Sequence, residues 1–172
     1  MTRPVRRLRN PAGMDIVNFD ELGFEFDPED PEGFRAGMKR VGPLVGALRT
    51  GASMYELPPG QANCPYHYEY AEEEWLIVLE GEPTLRTPDG ERRLKPWDVC
   101  AFPVGPDGAH GIRNDTATTV RVLMFGEVRL PAATVYPDSG KIGVWTGNRG
   151  DDAIVPLDAR VPYFHGEPGV DA

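Results

Sequence analysis

Short apolar segments, each of strand length, recur at regular intervals from about residue 53 and limit what this chain can fold into. Pro- and Gly-rich breakers separate them: LPPG, LEGEP, TPDG, KPW, PVGPDG and RND. Such spacing is typical of a sandwich or barrel of short strands. We predict strands near 52–57, 65–70, 73–80, 83–87, 91–94, 98–103, 109–114, 118–126, 133–136 and 142–145. The fold class is therefore all-β, a small jelly roll or barrel.

The N-terminal region carries one helix signal. Asp30 is a suitable N-cap, Pro31 suits the first helical position, and Gly42 followed by proline marks a stop. Phe34, Met38 and Val41 then share one face. We predict a short N-terminal helix that packs on the sheet.

One domain accounts for the length of 172 residues. We divide it into an N-terminal extension with the short helix (1–50), a barrel core (51–130), and C-terminal strands with a tail that complete the same domain (131–172).

Charge and hydropathy exclude several partners. The net charge is −9, although the first ten residues hold four arginines and no acid. An acidic body repels phosphate backbones, so we expect no nucleic-acid partner. The arginine-rich tip is interpreted as a solvated, frayed end, with a targeting or nucleic-acid arm as the alternative. No apolar run reaches the ~20 residues of a membrane span or follows the arginines as in a secretory signal, so we expect a cytoplasmic protein.

The segment YHYEYAEEEWLIVLEG (66–81) sets charged groups against a buried strand. Because side chains alternate along a strand, His67 and Glu69 point to one face. Glu74 shares a face with Leu76 and Val78, which places it inside the barrel mouth if these two line the interior. A buried carboxylate must be paired, protonated or bound to a cation. One imidazole with two carboxylates suits a divalent metal that has one further donor.

His110 is the candidate for that donor. It follows the Gly/Pro-rich turn of CAFPVGPDGAHGIRN and begins another predicted strand. His165, the remaining histidine, has no partner at ligand spacing and is interpreted as a surface residue of the tail.

Two segments of the chain resemble the motifs of the cupin family. In HYEYAEEEWLIVLEG, His67, Glu74 and Gly81 match the first motif, and Glu69 occupies the place of its second histidine. LKPWDVCAFPVGPDGAHGIRN resembles the second motif, with Pro-x-Gly at 103–105, His110 and an asparagine four residues later. The resemblance covers roughly 50–130. It implies a double-stranded β-helix (a jelly-roll cupin barrel), commonly a homodimer, with a metal inside the barrel.

The departures from the family pattern affect the expected ligands. Trp97 stands where the family often has glycine, and two extra residues separate Gly105 from His110. Glu69 in place of histidine gives two histidines and two carboxylates, which favours iron(II), manganese or zinc over copper. Glu69 can instead turn away and accept a hydrogen bond, leaving a triad of His67, Glu74 and His110. A barrel without metal, in which these groups form a hydrogen-bonded polar cluster, is the other alternative.

The remaining candidate residues have simpler interpretations. Cys64 and Cys100 show no pairing motif and are expected to be buried thiols, with a catalytic thiol as the alternative. Tyr66 and its neighbours at 68 and 70 are expected on the outer face or at a dimer contact. Arg86 and Arg113 are candidates for clamping a substrate carboxylate.

Together these features favour a metal-dependent cupin enzyme acting on a small polar molecule, with reaction type undetermined. Glu69, if it does not bind the metal, is the candidate general base. A barrel that senses or stores a small-molecule ligand, and a structural dimerisation module, are the alternatives.

Overall fold

The computed structural model describes residues 8–9 and 15–169, and it is built almost entirely from antiparallel strands. The arginine-rich tip lies outside the described residues, except for Leu8–Arg9. In chain order the strands are β1 Leu8–Arg9, β2 Asp15–Ile16, β3 Gly37–Arg40, β4 Thr50–Leu57, β5 Tyr68–Glu69, β6 Glu74–Glu80, β7 Thr84–Thr87, β8 Gly90–Arg93, β9 Val99–Phe102, β10 Gly111–Arg113, β11 Val120–Glu127, β12 Ala132–Tyr136, β13 Lys141–Trp145 and β14 Ala153–Pro156. Short 3-10 helices occupy Phe19–Glu21, Gly42–Leu44, Pro106–Gly108 and Pro137–Ser139.

Three sheets form the barrel. The largest has the order β3-β4-β11-β6-β9, and a smaller one has the order β10-β7-β8. A third sheet, β14-β13-β12-β5, joins the C-terminal strands to the segment that carries Glu69. The jelly-roll fold class is confirmed, and each of the ten predicted strands coincides with one of β4 to β13. The strands β1, β2, β3 and β14 were not predicted.

The main core lies between the five-stranded and three-stranded sheets. Its side chains come from alternate positions of the facing strands, as the pleat of a sheet requires. Those that are almost fully inaccessible are Leu57, Leu76, Val78, Ile112, Val120 and Val122. Burial of each such side chain stabilises the fold by roughly 1.5–3 kcal/mol. Glu74 follows the same parity as Leu76 and Val78, so its side chain also faces inward, as predicted.

The helix predicted between Asp30 and Gly42 does not form there. A turn closed by Phe34 N–H donating to Pro31 O is followed by an extended stretch and by β3, which pairs with β4. Two glycines, at 33 and 37, each disfavour a helix by about 1 kcal/mol. Strand β3 obtains its backbone hydrogen bonds from β4 instead. The helical turns of the N-terminal region are the 3-10 turns at Phe19–Glu21 and Gly42–Leu44. Val41 packs on the outer face of the sheet against Met54.

Trp97 has a backbone conformation that normally requires glycine. Its φ is 74°, and Asp98 N–H donates to Lys95 O at 3.0 Å across the turn. With Pro96 at the second position this is a type II turn, whose third residue needs positive φ. The indole itself is 76% exposed and adds little packing.

We expect Trp97→Gly to be more stable than Trp97→Ala by about 1 kcal/mol, because only alanine keeps the left-handed strain. Urea denaturation of the two variants measures this difference, and their similar loss of the indole makes them a matched pair. Equal free energies of unfolding would show that the turn does not impose the strain.

Candidate metal centre

His67 and His110 lie side by side because their backbones pair. His67 N–H donates to His110 O at 3.0 Å, and His110 N–H donates to His67 O at 2.8 Å. The ring centroids are 4.6 Å apart. His110 is only 1% exposed, and its ring stacks on Phe102 at 3.7 Å with an interplanar angle of 9°. Two imidazoles from separate segments are thus held at one point of the interior.

Hydrogen bonds fix which nitrogen of each ring faces the cavity. Nδ1 of His67 lies 2.9 Å from Pro65 O, and Nδ1 of His110 lies 2.9 Å from Gly108 O. A carbonyl oxygen only accepts, so each Nδ1 carries the proton and each Nε2 keeps a free lone pair. This is the tautomer of a metal-binding histidine whose other nitrogen is held by a backbone carbonyl.

Gly108 permits that arrangement. A Cβ atom at this position would collide with Pro103 O, so the chain can close the turn before His110 only with glycine here.

Glu74 brings a carboxylate to the two free nitrogens. Its Oε2 atom lies 3.4 Å from His110 Nε2 and 3.9 Å from His67 Nε2. The three ligand atoms lie within 4.8 Å of one another. Among the described residues, Glu74 Oε2 and His110 Nε2 are buried and have no hydrogen-bond partner. Buried polar atoms without partners are costly. Two neutral nitrogens and a carboxylate oxygen are suitable ligands for a divalent cation, so the residues present fit one.

Glu69 lies next to this group but is held from the other side. Its Oε1 atom is 3.9 Å from His67 Nε2. Thr134 Oγ1 lies 2.8 Å from both carboxylate oxygens and donates to them, and Trp145 Nε1 donates to Thr134 Oγ1 at 2.7 Å. Glu69 therefore accepts a hydrogen bond beside the group of His67, Glu74 and His110, and its role as a fourth ligand or as a free carboxylate stays a prediction.

Burial shifts the pKa of every group in the cluster. It lowers the pKa of His67, and it lowers that of His110 to about 4, with repulsion from His67 as a smaller cause. The pKa of Glu69 is raised to about 7 mainly by burial, and that of Glu74 is raised to about 7 by burial and by the Glu69 charge. Burial therefore favours uncharged imidazoles, and it moves the titration of both carboxyl groups towards neutral pH. A nearby cation would favour the carboxylate forms.

Cys64 and Asn63 precede His67 in the chain and add two partly buried polar side chains near the cluster. The Cys64 Sγ atom lies 3.5 Å from His67 Nδ1, and burial raises the pKa of the thiol. Cys64 is thus a protonated thiol, and burial also raises the pKa of Cys100. Both are half-buried and free, which agrees with the simpler interpretation. Asn63 Oδ1 is another buried acceptor without a partner among the described residues, and no motif pointed to it.

A cleft of about 660 Å³ has one residue of the cluster, Glu74, on its wall. Arg86 and Arg113, the predicted clamps, do not line it. Arg86 pairs with Asp138, and Arg113 pairs with Glu91. The arginines that line the cleft are Arg40 and Arg149, which the sequence analysis did not single out.

The tyrosines and His165 lie where the sequence predicted an outer face. Tyr70 is exposed, and its hydroxyl lies 3.4 Å from that of Tyr68. The Arg86 guanidinium covers the ring of Tyr66 at 3.9 Å. His165 is exposed in the tail.

Comparison with known proteins places this geometry in a family. A cupin-domain family model matches residues 53–126. No curated protein sequence matches the chain significantly. Among the described residues, no helix has the length and apolar character needed to cross a membrane.

Several solved structures share the fold. A proposed sugar phosphate isomerase from Acidithiobacillus ferrooxidans is 26% identical with a TM-score of 0.75, and the alignment covers 86% of this chain and 96% of that one. A sugar phosphate isomerase of the cupin superfamily from Silicibacter pomeroyi is 23% identical with a TM-score of 0.73, at the same coverage of 86% and 96%. A Thermus thermophilus protein is 27% identical with a TM-score of 0.52 and covers 66% of this chain and 97% of its own. Residues 53–126 form a cupin domain, with the fold that these solved structures share.

Proposed function

We propose that this protein is a metal-dependent cupin enzyme that isomerises a small hydroxylated carbonyl compound of the sugar phosphate class. The observation that carries the proposal is the convergence of His67 Nε2, His110 Nε2 and Glu74 Oε2 beside a second carboxylate. The similarity to the Acidithiobacillus protein, described as a proposed sugar phosphate isomerase, supports the substrate class.

His67, Glu74 and His110 would hold the divalent ion, with iron(II), manganese or zinc as the candidates. A metal in such a site supplies Lewis-acid polarisation of a carbonyl oxygen. The chain fixes its own ligands beforehand, because Pro65 O and Gly108 O orient the two imidazoles. Cys64, as a protonated thiol, takes no part in the proton transfers.

Glu69 is the general base of the proposal. Isomerisation needs one group that removes a proton from the carbon beside the carbonyl and returns it to the neighbouring carbon. A carboxyl group whose pKa is raised to about 7 can accept and release that proton near neutral pH. The Thr134 hydroxyl holds the side chain in place. The other assignment makes Glu69 a fourth ligand, and it predicts weaker metal binding when Glu69 is replaced.

The test combines elemental analysis with an isomerisation assay. Purified protein is expected to contain one equivalent of metal, and this metal should be absent from the double variant His67→Ala/His110→Ala. Aldose phosphates of four to six carbons are then incubated in D₂O with protein loaded with iron(II), manganese or zinc. We expect ketose phosphate that carries deuterium at the carbon next to the carbonyl, detected by NMR.

Wild-type protein that contains no metal, together with unchanged stability in the double variant, would contradict the proposed metal site. Stoichiometric metal without turnover of any compound in a broad metabolite pool would contradict the proposed enzymatic activity. It would favour a barrel that senses or stores a ligand. The homodimer and the cytoplasmic location stay predictions, and size-exclusion chromatography with light scattering tests the dimer.

A further inference from the structure

Two arginines line the cleft that has Glu74 on its wall. Arg40 ends β3, and Arg149 lies in the loop after β13. Neither guanidinium has a hydrogen-bond or ion-pair partner among residues 15–169. Unpaired arginines in a cleft of an acidic protein are available for an anionic ligand.

The charge of Arg40 acts on Tyr55, which also lines the cleft. Strand β3 sets Arg40 opposite Ser53, with Tyr55 two residues further along β4. The pKa of Tyr55 is raised mainly by burial and also by the charge of Glu74, whereas the charge of Arg40 lowers it. The charges of Arg40 and Glu74 therefore both act on the Tyr55 hydroxyl. Arg40, Tyr55 and Glu74 all line this one cleft.

The loop that carries Arg149 is held by its own hydrogen bonds. Asp152 accepts from the Thr146 N–H at 2.7 Å, and Asp151 accepts from the Asn148 amide at 2.7 Å. The two acids of the loop are thus engaged within it. Arg149 is therefore a cation on a preorganised loop. Preorganisation lowers the entropic cost of ordering this loop when a ligand binds.

The other acids of the cleft wall are also engaged. Glu72 accepts from the Arg129 N–H at 2.7 Å, and Glu127 forms an ion pair with the Arg129 guanidinium. Glu74 belongs to the proposed metal cluster, where a cation would offset its charge. Arg129 thus offsets Glu127, and backbone N–H groups hold Glu72 and Asp152, so Arg40 and Arg149 are the cations of the cleft lining that have no partner among the described residues.

We propose that Arg40 and Arg149 bind the phosphate group of the substrate while its carbonyl end lies at His67, Glu74 and His110. Arginine suits this role because its planar guanidinium donates paired hydrogen bonds to phosphate oxygens. The cleft volume of about 660 Å³ is ample for a phosphorylated sugar. The orientation of the substrate rests on the proposed function, but the phosphate site does not require turnover.

Binding of a non-isomerisable probe tests the site without activity. Isothermal titration calorimetry measures the affinity of the protein for sorbitol 6-phosphate, sorbitol and gluconate. The titrations use the protein as purified and after removal of metal with EDTA and dialysis. We expect Arg40→Met and Arg149→Met each to weaken sorbitol 6-phosphate binding about 10-fold or more, the loss of a charge-assisted hydrogen bond. Arg92→Met is the matched control, since Arg92 is exposed on β8 outside the cleft and has no side-chain partner among the described residues. Thermal denaturation of each variant checks folding.

The outcomes separate this inference from the proposed function. Arginine-dependent binding that persists after EDTA treatment supports the phosphate site even if no isomerisation is found. Equal affinity for sorbitol and its phosphate, or arginine variants within twofold of the wild type, would overturn it. Tighter binding of gluconate would overturn the choice of phosphate. Binding lost only on removing metal would place the phosphate at the metal and overturn the arginine site.

Discussion

Glu74→Gln is expected to stabilise the metal-free protein by about 2 kcal/mol at pH 8 while weakening divalent metal binding more than about 100-fold. The two effects have opposite signs because the buried Glu74 carboxylate destabilises the metal-free protein but binds the cation. Few substitutions in a protein interior raise stability, so the combination identifies a binding residue.

The stability gain follows from the pKa of Glu74, which burial and the Glu69 charge raise to about 7. A carboxyl group with a raised pKa binds its proton more tightly in the folded state. Its stabilising contribution is complete below the unfolded pKa and is lost as the pH rises through the folded value. At pH 8 the side chain is therefore a desolvated charge, 26% exposed, without a partner among the described residues. The glutamine amide is neutral and can donate to His110 Nε2.

The loss of metal affinity follows from the ligand count. Replacement of groups that only orient a ligand typically weakens binding 10–100-fold, so the loss of the one anionic ligand of the triad should exceed this. In thermal denaturation with added metal, the wild type should gain stability and Glu74→Gln should not.

Denaturation in EDTA from pH 4.5 to 8 provides the measurement. The gain of Glu74→Gln should shrink as the pH falls through about 7 and be mostly lost at pH 4.5, where the folded carboxyl group is protonated and the unfolded one is about half protonated. Glu82→Gln is the control, because Glu82 is exposed and its side chain has no bond among the described residues. A less stable Glu74→Gln in EDTA would show that Glu74 belongs to a hydrogen-bonded polar cluster without metal.

The strands and the inward-facing donors were predictable because both depend on local periodicity. Alternation along 66–81 is enough to set His67 and Glu69 on one face and Glu74 with Leu76 and Val78. The turn residues that separate the strands are also recognisable from the local sequence, as at Gly81. A Cβ at that glycine would lie 2.8 Å from Val120 Cγ2, and its φ is 76°.

The missed features depend on contacts distant in sequence. Residues 30–42 carry helix-start and helix-stop signals, but pairing with β4 decides the outcome. Thr134 contacts Glu69 across 65 positions, and no pattern near either residue indicates the bond. Arg40 and Arg149 meet at the cleft only because β3 and the loop after β13 fold onto the same barrel mouth.

Glu69→Gln is expected to lower kcat of the proposed isomerase by about 10²–10⁴-fold, the usual contribution of a general base. The amide keeps the volume and can still accept from Thr134 Oγ1, so the fold should be unchanged. Metal content should stay at the wild-type value, because the triad of His67, Glu74 and His110 is intact. A variant that loses both turnover and metal would identify Glu69 as a ligand instead of the base.

The pH dependence of kcat gives a second readout of the same residue. A base must be ionised, so the wild-type rate should rise with pH and level off at or below about pH 7, because a bound cation lowers the pKa of a neighbouring carboxyl group. Thr134→Val should move this rise to higher pH, since the Thr134 hydroxyl lowers the Glu69 pKa by donating to the carboxylate. Thr134→Ser keeps the hydroxyl and should restore the wild-type profile. If Thr134→Val and Thr134→Ser gave the same profile, the Thr134 hydroxyl would have no part in setting the pKa of the base.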